Sequence, residues 1–292
     1  MAPVQRQQFR FFHRLRVRWA EVDMQKIVFN PHYLMYFDTA MSEYWRALAL
    51  PYDTTMLALQ GEMFVKKATI EFNASARLDD ALDVALQCSR IGTSSVTFTG
   101  AIFCGQEHLV SCELIYVFAD PLAQTPKRVP DDLRAIMLGY EAGEPVLQMQ
   151  VNSWQVLQPR AVAVRTAVFL QEQKIPVEEE WDTEDATAIH AVVLNRLGEP
   201  VATGRLLQPV NGVGRIGRMA VLRGLRGTGV GRAVLQALIA AARARQDCQL
   251  LLHAQRSAEG FYARQGFAAV GEAFDEVGIA HIAMGCALSD SA

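Results

Sequence analysis

Between residues 223 and 235 the chain reads RGLRGTGVGRAVL, with four glycines and three arginines ahead of an apolar helical run. Glycine that dense at a helix start brings backbone amides within reach of an anion. A P-loop needs GxxxxGK followed by Ser or Thr, but Gly229, at the required distance from Gly224, is followed by Val230. The dinucleotide fingerprint GxGxxG also fails, because its third glycine falls on Arg232 when counted from Gly227 and on Val234 when counted from Gly229. What remains is Arg226-x-x-Gly229-x-Gly231, placed between the strand-like IGRMAVL and the helix-like VGRAVLQALIAAARAR. Successive amides of Gly227, Thr228, Gly229, Val230 and Gly231 would point into one concave site, and the helix dipole would add positive potential. A diphosphate suits such a site. A turn that only lets strand and helix pack closely would use the same glycines.

A second candidate lies in EVDMQKIVFNPHYLMYFD, residues 21–38. Asp23 precedes Asn30-Pro31, an N-cap followed by proline at the first helical position. Free N–H groups at that helix start, those of His32 and Tyr33 included, would polarise a carbonyl oxygen. A carboxylate facing a polarised carbonyl is the minimum equipment for hydrolysing an activated acyl group, by direct attack or by deprotonating water. Asp23 also reads as ordinary loop chemistry, and spacing alone does not decide.

The elements that must hold these residues follow two patterns. Leu15, Val17 and Trp19 alternate with Arg14, Arg16 and Arg18, a period of two that predicts a half-buried strand. Leu34, Phe37, Met41, Trp45 and Leu48 then recur at helical spacing until Pro51. Four alternating segments follow: Ala68/Ile70/Phe72/Ala74, Leu82/Val84/Leu86/Cys88, Val96/Phe98/Gly100/Ile102 and Val110/Cys112/Leu114/Tyr116/Phe118. A long helix wrapped by an antiparallel sheet is expected. Residues 139–150, rich in Gly, Glu and Pro, are expected as a linker between a first domain, 1–138, and a second, 151–292. Beyond the linker, helix and strand patterns mix: a helix over 162–172 with the acidic flank PVEEEWDTED, strands HAVVLN, VATGRLL and IGRMAVL, the glycine loop with its helix, strand CQLLLHA, helix SAEGFYARQ and a final strand. The predicted class is α+β.

Bulk properties narrow the setting. The chain has 292 residues, 51% of them hydrophobic, and a net charge of −3, so bulk electrostatics offer no nucleic-acid or membrane partner. No run of 18 apolar residues and no secretory h-region occurs. Five cysteines form no CxxC pair, which predicts isolated thiols, no metal site and a cytoplasmic location.

RMAVLRGLRGTGVG followed by AEGFYARQGF resembles the GNAT acetyltransferase superfamily over residues 150–287. RTAVFLQEQKIPVEEEWD and the closing GIAHIAM are similar to a small bacterial branch of it. The resemblance implies an α/β domain with a mixed, mostly antiparallel sheet. It implies that Met219, Ala220 and Val221 line the pantetheine arm of coenzyme A, that Arg226 to Gly231 bind the pyrophosphate, and that Tyr262 protonates the departing thiolate. For the base, His190 and the run Glu178 to Glu180 are candidates beside their readings as a structural hydrogen bonder and a solvated face; the run would also attract a cationic amine.

Residues 8–135 are similar to the hotdog-fold acyl-CoA thioesterases of the 4-hydroxybenzoyl-CoA thioesterase type, with signature D-x-D-x-x-G-x-V-x-x-x-x-Y before a long central helix. Asp23, Val28 and Tyr33 fall in register, and RIGTSSVTF matches a later strand pattern. The resemblance implies that Asp23 is the catalytic carboxylate and that the amide around Asn30 polarises the thioester. Glu21 replaces a frequent aspartate and Lys26 the usual glycine. Lys26 either strains the loop, contacts a carboxylate or phosphate, or alters catalysis. Asp38 and Glu43 rank behind Asp23 as helix-borne carboxylates. Such domains share active sites between protomers, so a homodimer or homotetramer is implied.

Together these readings predict a bifunctional enzyme that hydrolyses acyl-CoA and transfers acetyl groups from acetyl-CoA to a small amine or peptide, with no tightly bound cofactor. The alternatives are a thioesterase whose second domain senses acyl-CoA without turnover, and a first domain that serves only to dimerise.

Overall fold

The computed structural model describes residues 4–276 and 278–288. The chain divides between Val146 and Leu147 into two compact units.

In the first unit, strand β1 (Phe11–Arg16) leads through a loop to helix α1 (Pro31–Ala47) and the short α2 (Tyr52–Ala58). Strands β2 (Glu62–Phe72), β3 (Ala81–Ile91), β4 (Ser95–Cys104) and β5 (Glu107–Ala119) follow, then helix α3 (Asp131–Glu141). The five strands form one antiparallel sheet in the order β1-β3-β4-β5-β2. Its inner face is the predicted alternation: Leu82, Val84, Leu86 and Cys88 on β3, Val96, Phe98 and Ile102 on β4, and Val110, Cys112, Leu114, Tyr116 and Phe118 on β5 are buried. Against this face lies α1, with Phe37, Ala40 and Tyr44 fully buried. Tyr44 meets Phe11 and Phe98 edge-on, with ring centroids 5.4 and 5.3 Å away. Each such ring contributes about 1.5–3 kcal/mol through burial. Gly100 makes the approach possible, since a Cβ there would stand 2.6 Å from the Phe37 ring. This is the expected hotdog arrangement.

Three expectations for this unit fail in detail. Trp19 belongs to a 3-10 turn after β1 and is 79% exposed, because the strand ends at Arg16. Strand β2 is the sheet edge, so Ala68 and Phe72, opposite Leu114 and Val110 on the inner face, stay exposed instead of joining the core. The chain leaves α1 not at Pro51 but at Ala49, whose φ of 58° turns it before Pro51 caps α2.

The second unit begins with β6 (Leu147–Ser153) and α4 (Trp154–Arg165), which widens into a π-turn over Thr166–Glu172. After α5 (Val177–Glu180) come β7 (Ile189–Asn195), β8 (Pro200–Leu206) and β9 (Val213–Val221). The remainder is α6 (Val230–Ala244), β10 (Gln249–Gln255), α7 (Glu259–Ala263) and the hairpin β11 (Ala268–Glu276) and β12 (Ile279–Ala287). The sheet order is β11-β12-β10-β9-β8-β7-β6, antiparallel throughout except for the β9–β10 pair. Val230, Val234, Leu235, Leu238 and Ile239 form the buried stripe of α6, which packs so closely that a Cβ on Gly204 of β8 would lie 2.9 Å from both Val234 and Leu238. Residues 139–150, expected as a linker, comprise the last turn of α3, the connection 142–146 and the start of β6. The final strand is a hairpin, and the helix expected over 162–172 begins earlier, at Trp154.

Candidate functional site

In the first unit the loop between β1 and α1 is closed on itself. Val22 bridges Val28, and the Asp23 N–H donates to Ile27 O at 2.9 Å. The Asp23 carboxylate is half-exposed and accepts from the Gln25 N–H at 2.7 Å. Lys26 sits at a φ of 62°, the left-handed region that favours glycine. Ala76 ties loop to helix: its carbonyl accepts from the Val28 N–H and its N–H donates to the Tyr33 hydroxyl, both at 2.9 Å. Beneath the loop, buried Glu21 accepts from the Tyr36 hydroxyl at 2.8 Å and from Arg18 Nε at 2.7 Å. Burial alone would raise the Glu21 carboxyl, but the bonds from Arg18 and Tyr36 outweigh it and hold the pKa below the ordinary value.

The helix start differs from expectation. The His32 N–H donates to Phe29 O at 2.9 Å and the Tyr33 N–H to Asn30 O at 3.3 Å, so neither is free to polarise a ligand. Asn30 occupies the N-cap position, but its backbone is already helical and its side chain caps nothing. The Asn30 amide has no hydrogen bond among the described residues. On α1, Asp38 is on the exposed flank, with its carboxyl raised by burial, and Glu43 pairs with Arg46 at 3.3 Å.

In the second unit β9 and β10 pair only from Val213–Ile216 to Gln249–Leu252, then diverge. A bulge opposite Gly204, with Arg218 at a φ of 50°, turns β9 further. Past that point Gly217, Met219, Ala220 and Val221 keep β8 on one side and have no strand partner on the other. The glycine loop follows at once. Gly227 and Gly229 take φ values of 84° and 92°, and the first helical bond is from Ala233 N–H to Gly229 O. The amides of Val230, Gly231 and Arg232 therefore have no carbonyl one turn back. Gly231 has Val221 3.3 Å from where its Cβ would be. Beside the divergence is a cleft of about 540 Å³, lined among others by Phe169, Glu178, Glu179, Met219, His281 and Tyr262.

The family described as "Acetyltransferase (GNAT) domain" matches residues 158–288, and that described as "Thioesterase superfamily" matches residues 25–111. The uncharacterized N-acetyltransferase YjcF of Bacillus subtilis is 37% identical over 42% of this chain and 88% of its own length. This chain is a GNAT-family protein. Its first unit belongs to the thioesterase superfamily, and there the acyl-CoA thioester hydrolase YbgC of Escherichia coli O6:H1 is 28% identical over 41% of this chain and 90% of its own length. Among solved structures, an acyl-CoA N-acyltransferase from Pseudomonas aeruginosa is 34% identical, with a TM-score of 0.44, covering 48% of this chain and 99% of its own. The protein thus joins two domains of CoA-ester enzyme families.

Within the GNAT unit the predicted residues separate into groups. Met219 and Tyr262 line the cleft. Tyr262 is buried, its hydroxyl forms no hydrogen bond among the described residues, and burial pushes its pKa up to about 12. Arg226 leaves the anion loop: Glu172 accepts from both its terminal nitrogens at 2.6 and 2.8 Å, and Val221 O from its Nε at 3.1 Å. His190 lies apart from the cleft, buried against Trp154, with Nε2 3.0 Å from Asp185 O; desolvation lowers its pKa. It is the structural hydrogen bonder. Of the acidic run, Glu178 and Glu179 are exposed at the cleft mouth, while Glu180 is buried against Arg165. Arg165 also pairs with Asp185 at 2.8 Å, Arg205 with Asp182 and Asp185 at 2.6 and 2.8 Å, and Arg218 with Glu180 and Asp182 at 3.3 and 3.2 Å. His253, Glu276 and His281 also line the cleft and went unmarked in the sequence. The GIAHIAM motif was the available signal for His281.

Proposed function

We propose that the first unit hydrolyses acyl-CoA thioesters and that the second transfers an acetyl group from acetyl-CoA to an amine. The observation that carries the second assignment is the divergence of β9 from β10 beside the glycine loop. It leaves strand backbone and helix-start amides along one line, an arrangement suited to an extended pantetheine ending in a diphosphate. Gly227, Gly229, Val230 and Gly231 supply backbone amides for the pyrophosphate, the Thr228 N–H being donated to Leu225 O at 3.4 Å, with Arg226 shaping the loop through Glu172. Met219, Ala220 and Val221 border the pantetheine. Tyr262, kept protonated by burial, donates its proton to the sulfur as the C–S bond breaks. Exposed Glu178 and Glu179 favour a cationic small amine or peptide N-terminus at the cleft mouth. A holoenzyme with any resident cofactor is not required for either step.

In the first unit Asp23 attacks the thioester carbonyl or activates water, and the Asn30 amide holds the carbonyl oxygen. The exposed Val65 and Phe72 on edge strand β2 support a homodimer, or a tetramer of such dimers, in which a second copy completes the site. A cytoplasmic setting fits the five cysteines, none of which is paired.

Two assays test this reading. Asp23→Asn should lower acyl-CoA hydrolysis at least about 100-fold with KM little changed; equal rates would remove Asp23 from the reaction. Labelled acetyl-CoA incubated with a panel of primary amines and peptides should give acetylated product. CoA binding without product across the panel would leave a sensing module instead.

A further inference from the structure

Resting on the acetyl-transfer reading, we infer that His281 is the catalytic base that takes the proton from the attacking amine. His281 is on β12 opposite Gln255, the last residue of β10, just before the turn into α7 that carries Tyr262. It is opposite Phe274 on β11, so the three side chains share one sheet face, on which Gln255 and His281 line the cleft, whereas Ile282 and Met284 are buried. The Phe274 ring stacks on the imidazole with centroids 6.1 Å apart.

The decisive feature is the tautomer. His281 Nδ1 lies 2.8 Å from Ile279 O, and a carbonyl can only accept, so Nδ1 carries the hydrogen. In the neutral ring the lone pair is then on Nε2, which has no hydrogen bond among the described residues. Backbone geometry thus sets the ring as a proton acceptor before substrate arrives.

Of the other basic groups of the cleft, all but Glu178 and Glu179 are paired elsewhere. Glu276 Oε2 lies 3.1 Å from His253 Nδ1, and Arg215 Nη2 stands 2.9 Å from Nδ1 and 3.0 Å from Nε2, so a guanidinium covers both ring nitrogens. Glu180, Asp182 and Glu184 are held in arginine pairs. Glu178 and Glu179 stay at the exposed mouth.

The step balances as follows. A free amine, its ammonium proton already lost to solvent, forms an N–C bond to the thioester carbonyl. Its N–H proton passes to His281 Nε2, the C–S bond breaks, and the sulfur takes the Tyr262 hydroxyl proton. The imidazolium returns its proton to the tyrosinate through water, leaving amide and free thiol.

The test uses the full chain with acetyl-CoA and whichever amine the wild type acetylates. His281→Gln should lower kcat by about 10²- to 10⁴-fold, with KM for acetyl-CoA within about twofold. His281→Ala should regain rate saturably with added imidazole, which a merely structural role would not allow. Coenzyme A titration calorimetry on both variants shows that the fold persists. Independently, ¹⁵N NMR of the wild type should place the neutral-ring proton of His281 on Nδ1. An unchanged kcat, no imidazole rescue, or a proton on Nε2 overturns the assignment. A wild type that acetylates no amine overturns the transfer reading and this assignment with it, and is recognised because the parent rather than the variant is inactive.

Discussion

Lys26 holds a φ of 62°, a conformation that costs an L-residue about 1–2 kcal/mol. Part of that is offset because glycine loses more chain entropy on folding, by about 0.4–1 kcal/mol. Lys26→Gly should therefore stabilise the first unit by up to about 1 kcal/mol, read as a raised urea midpoint; a lowered midpoint would mean that the lysine side chain makes a contact worth more than the strain. Nearby, Glu21→Gln should destabilise by about 1–3 kcal/mol at neutral pH, since it weakens charge-assisted bonds to Arg18 and Tyr36 in a buried place. The folded-state pKa of Glu21 is lowered, so its contribution is complete above about pH 4.5 and is lost as pH falls through the lower, folded value. Urea midpoints of parent and variant should converge in acid. The sequence already showed Val28 and Tyr33 as fixed points of this loop, and Ala76 explains why: it bonds to both. It did not show which amide stays open, because the 3-10 turn that occupies His32 and Tyr33 leaves no trace in residue type.

At the scale of elements, apolar alternation revealed β3, β4 and β5 because a single buried face dictates a period of two. The same pattern overstated burial for β2, whose apolar residues share the inner face but stay exposed at the sheet edge. Helix α3 and strand β6 were hidden in a segment whose Gly and Pro read as linker. The glycine loop was legible because its chemistry is in the backbone. Gly229, at a φ of 92°, starts α6, and valine there would be forced from that conformation. Gly229→Val should weaken coenzyme A binding at least about tenfold by calorimetry, while acyl-CoA hydrolysis continues at the parental rate. Loss of hydrolysis too would show that the substitution damages more than its own loop. The direction of the Arg226 side chain was not legible, because its partner Glu172 is 54 residues away in sequence.

For the whole molecule, the chain unites a thioesterase-superfamily domain with a GNAT domain, and each motif set predicted its own unit. Assembly is the property with the plainest test. Val65 is 53% and Phe72 51% exposed on the open edge of β2. Val65→Lys with Phe72→Lys should convert the proposed dimer to monomers in sedimentation equilibrium and reduce hydrolysis along with it; an unaltered mass would place the interface elsewhere.

Arg165, Arg205 and Arg218 face Glu180, Asp182, Asp185 and Glu184, three positive charges against four negative. That near-balance means the segment they fasten adds shape and only a small negative field to the cavity beside it. A visiting molecule meets a wall already in position, so the ordering cost is met during folding, and attraction for a cation rests mainly on the glutamates at the rim.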